Sequence, residues 1–229
     1  MPHIVIFTGA GISAESGLST FRDSDGLWNN YRIEDVCTPE ALVRNRAQVI
    51  EFYNIRRKEL LEKEPNAAHL ALAELEQEED VCIITQNIDD LHERAGATNV
   101  IHLHGEIIKL RAENDENAIV PFDGWEQRYG DRHPNGQLLR PHVVFFGEDV
   151  PNMTPAIEVT QQADIMVVVG TSLNVYPAAL LLHYLPATAT VFLIDPGSPN
   201  IQGLARSITH ISKTATQGVP ELLLSPLFQ

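Results

Sequence analysis

The chain has 229 residues, of which 31 are acidic and 16 basic, giving a formal charge of −15. That length is enough for one large domain, or one and a half, with a core of its own, and the absence of any Lys/Arg cluster excludes the concentrated positive charge that nucleic-acid backbone binding needs. Cys37 and Cys82 stand far apart in different kinds of segment, which excludes a disulfide framework, and no apolar run approaches the roughly 20 residues that span a bilayer.

No signal peptide precedes the first apolar run, so the expectation is a soluble, cytoplasmic monomer without nucleic-acid or membrane partners. The acidic surface tolerates basic peptides, although the same charge also serves solubility.

Five short apolar runs read as strands: His3–Thr8, Val81–Thr85, Val143–Phe146, Ile165–Val169 and Val191–Ile194. They are continuous rather than alternating, the pattern of strands covered on both faces of a parallel α/β sheet. The first runs straight into a glycine loop. Residues 26–63 then read as helical, and within them Val49, Phe52, Tyr53, Arg56 and Leu60 share one face. Asn66, after Pro65, is a predicted N-cap for a helix whose stripe is Ala68, Ala71, Leu72 and Leu75. Residues 113–137 are rich in turn formers but keep Ile119, Val120, Phe122, Trp125 and Tyr129.

The glycine loop, Gly9-Ala10-Gly11-Ile12-Ser13-Ala14-Glu15, brings backbone amides and a helix start together where a pyrophosphate would sit. A simple strand-to-helix turn would use the same residues. In a hydride-transfer enzyme a strand ending in an acidic residue follows such a loop by about 20 residues. Here that region reads TFRDSDGLWNNYRIEDV. Asp195, after the run at Val191, is better placed to accept from a ribose diol, and equally suited to forming the turn before Pro196-Gly197.

Two polar groups follow predicted strand ends: Gln86-Asn87-Ile88-Asp89, and His102-Leu103-His104-Gly105-Glu106 after Val100-Ile101. Open α/β sheets hold ligands beyond these ends. His102 and His104 would point to the same side of an extended segment, which raises a metal pair, but no third ligand stands at a useful spacing. A structural, hydrogen-bonded role suits His102.

Together these motifs closely resemble the sirtuins, the NAD-dependent protein deacylases. The matching blocks are GAGISAESGLSTFRD (9–23), TQNIDDLHERAG (85–96), HLHGE (102–106), LRPHVVFFGE (139–148) and GTSLNVYPAA (170–179), in the family's order over most of the chain. The resemblance implies an α/β fold: a Rossmann-like parallel-sheet domain from residues 1–25, 72–104 and 143–229, with a smaller inserted lobe from 26–71 and 105–142.

It further implies NAD as co-substrate and acylated lysines of proteins or peptides as partners. His104 would be the general base, with Asn87 and Asp89 beside it at the nicotinamide riboside end. Arg22 would close over the cofactor with the loop from Ala10 to Ser13, while Ala14, Glu15, Phe21, Gln86 and Ile88 complete the cofactor stretch. Gly170, Thr171 and Ser172 would contact its phosphate or ribose portion. Phe146-Gly147-Glu148 and Asn174-Val175 would pair with the substrate backbone by strand addition. Loss of nicotinamide leaves positive charge at the anomeric carbon, the acyl oxygen attacks it, and a neutral imidazole then deprotonates a ribose hydroxyl. A non-catalytic NAD sensor and a mono-ADP-ribosyltransferase are the alternatives.

Tyr53 and Arg56 match the Tyr-x-x-Arg of the sirtuin subgroup that removes succinyl, malonyl and related acidic acyl groups. Without the resemblance, Arg56 in an apolar stripe reads equally as a side chain snorkelling from its edge. Cys37, before Thr38-Pro39, stands where that subgroup often has alanine, and its small size keeps the acyl pocket open.

Most sirtuins staple the small lobe with four cysteines around zinc, yet residues 109–140 contain none, so no tetrathiolate can form and no zinc is expected. The expected replacement is an apolar cluster of Ile119, Val120, Phe122, Trp125 and Tyr129.

Overall fold

The longest apolar runs form the inner strands of one parallel sheet. The computed structural model describes residues 1–19, 31–199, 201 and 207–228. In chain order its elements are β1 (His3–Thr8), α1 (Gly11–Ala14), α2 (Ile33–Val36), α3 (Pro39–Arg44), α4 (Arg46–Leu61), α5 (Ala67–Glu78), β2 (Asp80–Thr85), α6 (Leu91–Arg94), β3 (Val100–His102), β4 (Gly105–Ala112), β5 (Asp115–Pro121), β6 (Leu139–Val143), α7 (Met153–Thr160), β7 (Ile165–Val169), a 3-10 segment (Ala178–Tyr184), β8 (Thr190–Ile194), β9 (Thr209–Ile211) and α8 (Ala215–Leu223).

The larger sheet has the order β3-β2-β1-β7-β8-β9, every neighbouring pair parallel. On one face Ile4, Ile6, Ile83 and Val167 pack against Leu72 of α5 and Val219 of α8. On the other, Val5, Phe7, Ile84 and Val168 meet Ala156 of α7 and Leu181 of the 3-10 segment. Burial on both faces explains why these strands are apolar at successive positions. The strand order reverses at β1, between β2 and β7, which opens a crevice at the carboxyl ends of those strands.

The predicted cap of α5 is present in reciprocal form: the Asn66 side chain accepts from the Ala68 amide at 3.0 Å, and His69 Nδ1 accepts from the Asn66 amide at 3.3 Å.

The second sheet is antiparallel, order β5-β4-β6. It corrects the expected parallel strand at Val143–Phe146: the strand is Leu139–Val143, paired with β4. The apolar run continues past it because Phe145 is buried against the helical segment, with its ring stacked on Tyr53 at 5.7 Å. Continuous hydrophobicity here marks a connection buried between a sheet and helices, not a strand inside the parallel sheet.

The expected apolar cluster does not form. Ile119, Trp125 and Tyr129 are exposed. The module is fastened to α4 by polar groups instead. Arg57 is fully buried; its Nε donates to the Ile107 carbonyl at 2.8 Å, and its Nη1 donates to Asn54 Oδ1 at 3.0 Å and the Trp125 carbonyl at 2.7 Å. Its guanidinium also lies 4.8 Å from the centroid of the Phe122 ring. Asn54 Nδ2 donates to the Gln127 carbonyl at 2.8 Å, and Gln127 Nε2 to the Leu139 carbonyl at 2.9 Å. Arg46 pairs with Glu113 at 2.8 Å and also donates to the Tyr129 and Leu139 carbonyls. A turn-rich segment with few apolar residues offers mainly carbonyl oxygens, and guanidinium donors suit those.

α4 therefore has two working faces: Ile50, Asn54 and Arg57 are buried towards the module side, while Val49, Phe52, Tyr53 and Leu60 join Ile107, Val143 and Phe145 in a third core. Among the described residues, no helix is long and apolar enough to cross a membrane.

Candidate active site

A cavity of about 460 Å³ opens at the strand-order reversal, within the range of small-molecule sites. Three groups of residues meet in it: the glycine loop after β1 with the loop after β7, the polar run after β2 with His104, and the α4 face with the loop after β6.

The first group is backbone against backbone. The Gly11 amide donates to the Gly170 carbonyl at 2.8 Å, and a Cβ on Gly170 would fall 2.4 Å from the Ile12 nitrogen. Gly170 also has φ +63, so both sterics and backbone conformation require glycine there. This contact leaves Gly9, Ala10, Gly11, Ser13, Gly170, Thr171 and Ser172 lining one wall. Gln86 Nε2 donates to Thr171 Oγ1 at 3.1 Å, joining that wall to the polar run.

In the polar run, Asn87 and Asp89 are buried and tied together through Ser13: Asn87 Nδ2 donates to its Oγ at 3.2 Å, and that Oγ donates to Asp89 Oδ2 at 3.0 Å. Burial raises the Asp89 pKa, while the Leu91 amide and Ser13 hold it back. Ile88 lines the same wall.

His104 Nδ1 lies 2.8 Å from the Gln86 carbonyl. A carbonyl only accepts, so Nδ1 carries the proton and neutral His104 keeps its Nε2 lone pair. Nε2 has no hydrogen-bond partner among the described residues. Burial lowers the pKa of this ring, only partly offset by the bond to Gln86.

His102 is built differently. Its two nitrogens face two acceptors, the Asn87 carbonyl at 3.1 Å and Glu93 Oε1 at 2.7 Å. Burial opposes charge on the ring, but the Glu93 hydrogen bond and the charges of Glu93 and Glu106 outweigh it, so its pKa rises. It is the structural member of the pair, and among the described residues no group of three or more His, Cys, Asp or Glu could hold a metal ion.

The α4 wall carries Tyr53 and Arg56, with Cys37 beside them. Tyr53 is 2% exposed, and its hydroxyl donates to Cys37 Sγ at 3.6 Å. Burial pushes both groups up, the phenol well above 10, so both stay protonated. Phe146, Gly147, Glu148 and Val175 line the mouth.

Several expected site residues lie outside the cavity lining. Ala14 and Glu15 face away from the cavity; Glu15 instead accepts from the Thr216 amide at 3.0 Å and hydroxyl at 2.7 Å, at the start of α8. A four-residue α1 turns its later side chains outward. Asp195 is 2% exposed and outside the cavity lining, and its Oδ1 accepts from the Gly197 amide at 2.8 Å, the turn-forming role. Asn174 is exposed beyond the lining. Phe21 and Arg22 lie outside the described residues. The sequence reading missed Arg140, which no apolar or loop signal singles out, and Tyr176, exposed next to Val175 at the mouth.

The Sir2 family profile matches residues 9–177. An NAD-dependent protein deacylase of Aggregatibacter actinomycetemcomitans is 58% identical over 199 residues, covering 87% of this chain and 95% of the relative. One from Bacteroides thetaiotaomicron is 50% identical over 228 residues, covering 97% of each. Among solved structures, a Sir2 homologue in complex with NAD superposes with a TM-score of 0.87 at 37% identity, covering 96% of this chain and 88% of that one. A Sir2 protein bound to a deacetylated p53 peptide and 3'-O-acetyl ADP-ribose gives 0.83 at 28% identity, covering 96% and 92%. Sequence and structure agree over nearly the whole length: the chain belongs to the Sir2 family.

Proposed function

We propose that this protein removes both acetyl and acidic acyl groups, succinyl and malonyl, from protein lysines, releasing nicotinamide and O-acyl-ADP-ribose. As a Sir2 enzyme it is an NAD-dependent protein deacylase. One observation carries the acyl reading: Arg56 and Tyr53 line the same cavity as His104.

The residues present fit NAD. The wall where Gly11 and Gly170 touch leaves no room for a Cβ, so backbone amides can approach a diphosphate. Ser13, Asn87 and Asp89 supply hydrogen-bonding groups for the nicotinamide riboside end. Bound NAD supplies an electrophilic ribose carbon and accepts the acyl group.

His104 takes a proton at Nε2, since Nδ1 is committed to the Gln86 carbonyl, and that bond also fixes the ring's orientation. The Phe146–Glu148 loop and Val175 flank the entering lysine and pair with its backbone, which reads little sequence. At the inner end, the Arg56 guanidinium and Tyr53 hydroxyl meet an acyl carboxylate, and a small, uncharged Cys37 leaves space for the chain.

The test is mass spectrometry of acetyl-, succinyl- and malonyl-lysine peptides incubated with and without NAD, with His104→Ala as control. Deacylated peptide together with O-acyl-ADP-ribose is expected. ADP-ribosylated peptide would indicate transfer, and bound but unconsumed NAD a sensor. Arg56→Met should lower the ratio of desuccinylation to deacetylation by about tenfold or more, the loss of a charge-assisted contact; an unchanged ratio would remove the acidic-acyl reading.

A further inference from the structure

Glu148 lines the cavity, and Arg140 stands behind it, outside the lining but in contact with residues of the wall. The Arg140 side chain is 3% exposed, and its guanidinium grips Glu148 with both arms: Nη1 to Oε1 at 2.5 Å and Nη2 to Oε2 at 3.1 Å. Oε2 also accepts from the Phe145 amide at 2.7 Å, closing the turn that the Glu148 amide makes with the Phe145 carbonyl at 3.0 Å. The Arg140 guanidinium carbon stands 3.8 Å from the centroid of the Phe145 ring. That same ring stacks on Tyr53, with an interplanar angle of 17°. Tyr53 in turn donates to Cys37 Sγ, and the Cys37 carbonyl accepts the Phe146 amide at 2.9 Å.

The contacts close a ring: Glu148, Arg140, Phe145, Tyr53, Cys37 and back to the loop at Phe146. We infer that the Arg140–Glu148 pair is a positioning couple that sets the Tyr53 phenol for an acyl carboxylate and so contributes to acyl-group selectivity. The inference rests on the acidic-acyl reading above. An acetyl group has no carboxylate for Tyr53 to meet, whereas a succinyl group does. Displacing the phenol by a fraction of an ångström therefore weakens the acidic substrate selectively.

Steady-state kinetics on acetyl- and succinyl-lysine peptides test this in Arg140→Met, Arg140→Lys and Arg56→Met. Arg140→Met should lower the succinyl-to-acetyl ratio of kcat/KM by about tenfold, mostly through KM for the succinyl peptide. Arg111 also reaches Glu148, at 3.3 Å, and stays in every variant; Arg140→Lys restores a second cation there and should recover part of that ratio. Equal losses on both peptides would mean that the pair only holds the fold together, and an unchanged ratio would equally overturn the inference. If Arg140→Met fails to fold, Arg140→Lys decides by the same criterion: a smaller drop in the ratio supports the couple, and no drop overturns it. If Arg56→Met leaves the ratio unchanged, the acidic-acyl reading fails first and this inference with it; if Arg56→Met collapses the ratio while the Arg140 variants do not, only the positioning role fails.

Discussion

His104 is fixed by Gln86: the ring nitrogen Nδ1 and the backbone carbonyl are 2.8 Å apart, which assigns the proton to Nδ1 and leaves Nε2 with its lone pair, the atom proposed as the base. Burial holds the ring's pKa below its ordinary 6.5. A base works in its neutral form, so kcat/KM should persist to lower pH than an ordinary histidine allows. The expected profile has an acid limb with its midpoint below 6.5. His104→Ala should cost about 10²–10⁴ in kcat with little effect on folding. A midpoint above the ordinary histidine value would show that burial does not dominate the titration of this ring.

The neighbouring pair, His102 with Glu93, gives a stability signature. The folded pKa of His102 lies above 6.5, so its contribution is complete below that pH and is lost as pH rises through the higher folded value. Glu93 is held below 4.5, because its hydrogen bond and attraction to His102 outweigh burial; its contribution is complete above 4.5 and lost as pH falls through the folded value. The pair therefore stabilises most between 4.5 and 6.5. Thermal melts of Glu93→Gln against the parent should differ more at about pH 5.5 than at about pH 8.5. A difference that does not vary with pH would show that the pair is not charged in the folded protein.

Arg57→Met removes three hydrogen bonds at once: the Ile107 and Trp125 carbonyls lose their guanidinium donor, and Asn54 Oδ1 keeps only the Gln127 amide, at 2.9 Å. Loss of buried hydrogen bonds to a charged group should cost on the order of 3 kcal/mol, roughly 6–12 °C in Tm for a chain of this size. Differential scanning calorimetry measures it. An exposed control such as Lys58→Met, which loses a contact with the Trp125 ring at 5.0 Å, should change far less.

With no cysteine between residues 109 and 140, the module has no thiolates to hold zinc. Treatment with EDTA should leave both the melting temperature and NAD-dependent deacylation unchanged, and elemental analysis should find zinc well below one per chain. Stoichiometric zinc, or loss of structure on chelation, would refute the guanidinium fastening as the replacement.

These features differ in how far they can be read from the chain itself. The central strands and the α5 cap were legible because burial on both faces and an N-cap residue leave local patterns at Ile4–Phe7 and at Asn66; the reciprocal partner His69 was not read. The run at Val143–Phe146 misled for a physical reason: a connection wedged between two layers is as apolar as a buried strand, and hydrophobicity does not report pairing. Asp195 and Glu15 lie outside the cavity lining, where they accept from Gly197 and Thr216, placements set by loop geometry that residue type does not report. Arg57 was invisible because Asn54 and Arg57 look like the solvent face of α4, and their burial depends on a segment that arrives more than 60 residues later in the chain.

The two faces of α4 are offset by a single residue: Arg56 lines the cavity and Arg57 turns to the module. Successive helical residues point about 100° apart. One residue inserted ahead of them would carry Arg56 into the position of Arg57 and leave the cavity wall without its guanidinium, whereas one deleted would carry Arg57 into the position of Arg56 and leave the module without its fastening. The cavity wall and the lobe attachment are thus bound to one helix register, and this helix can diversify by substitution but not by a change of length.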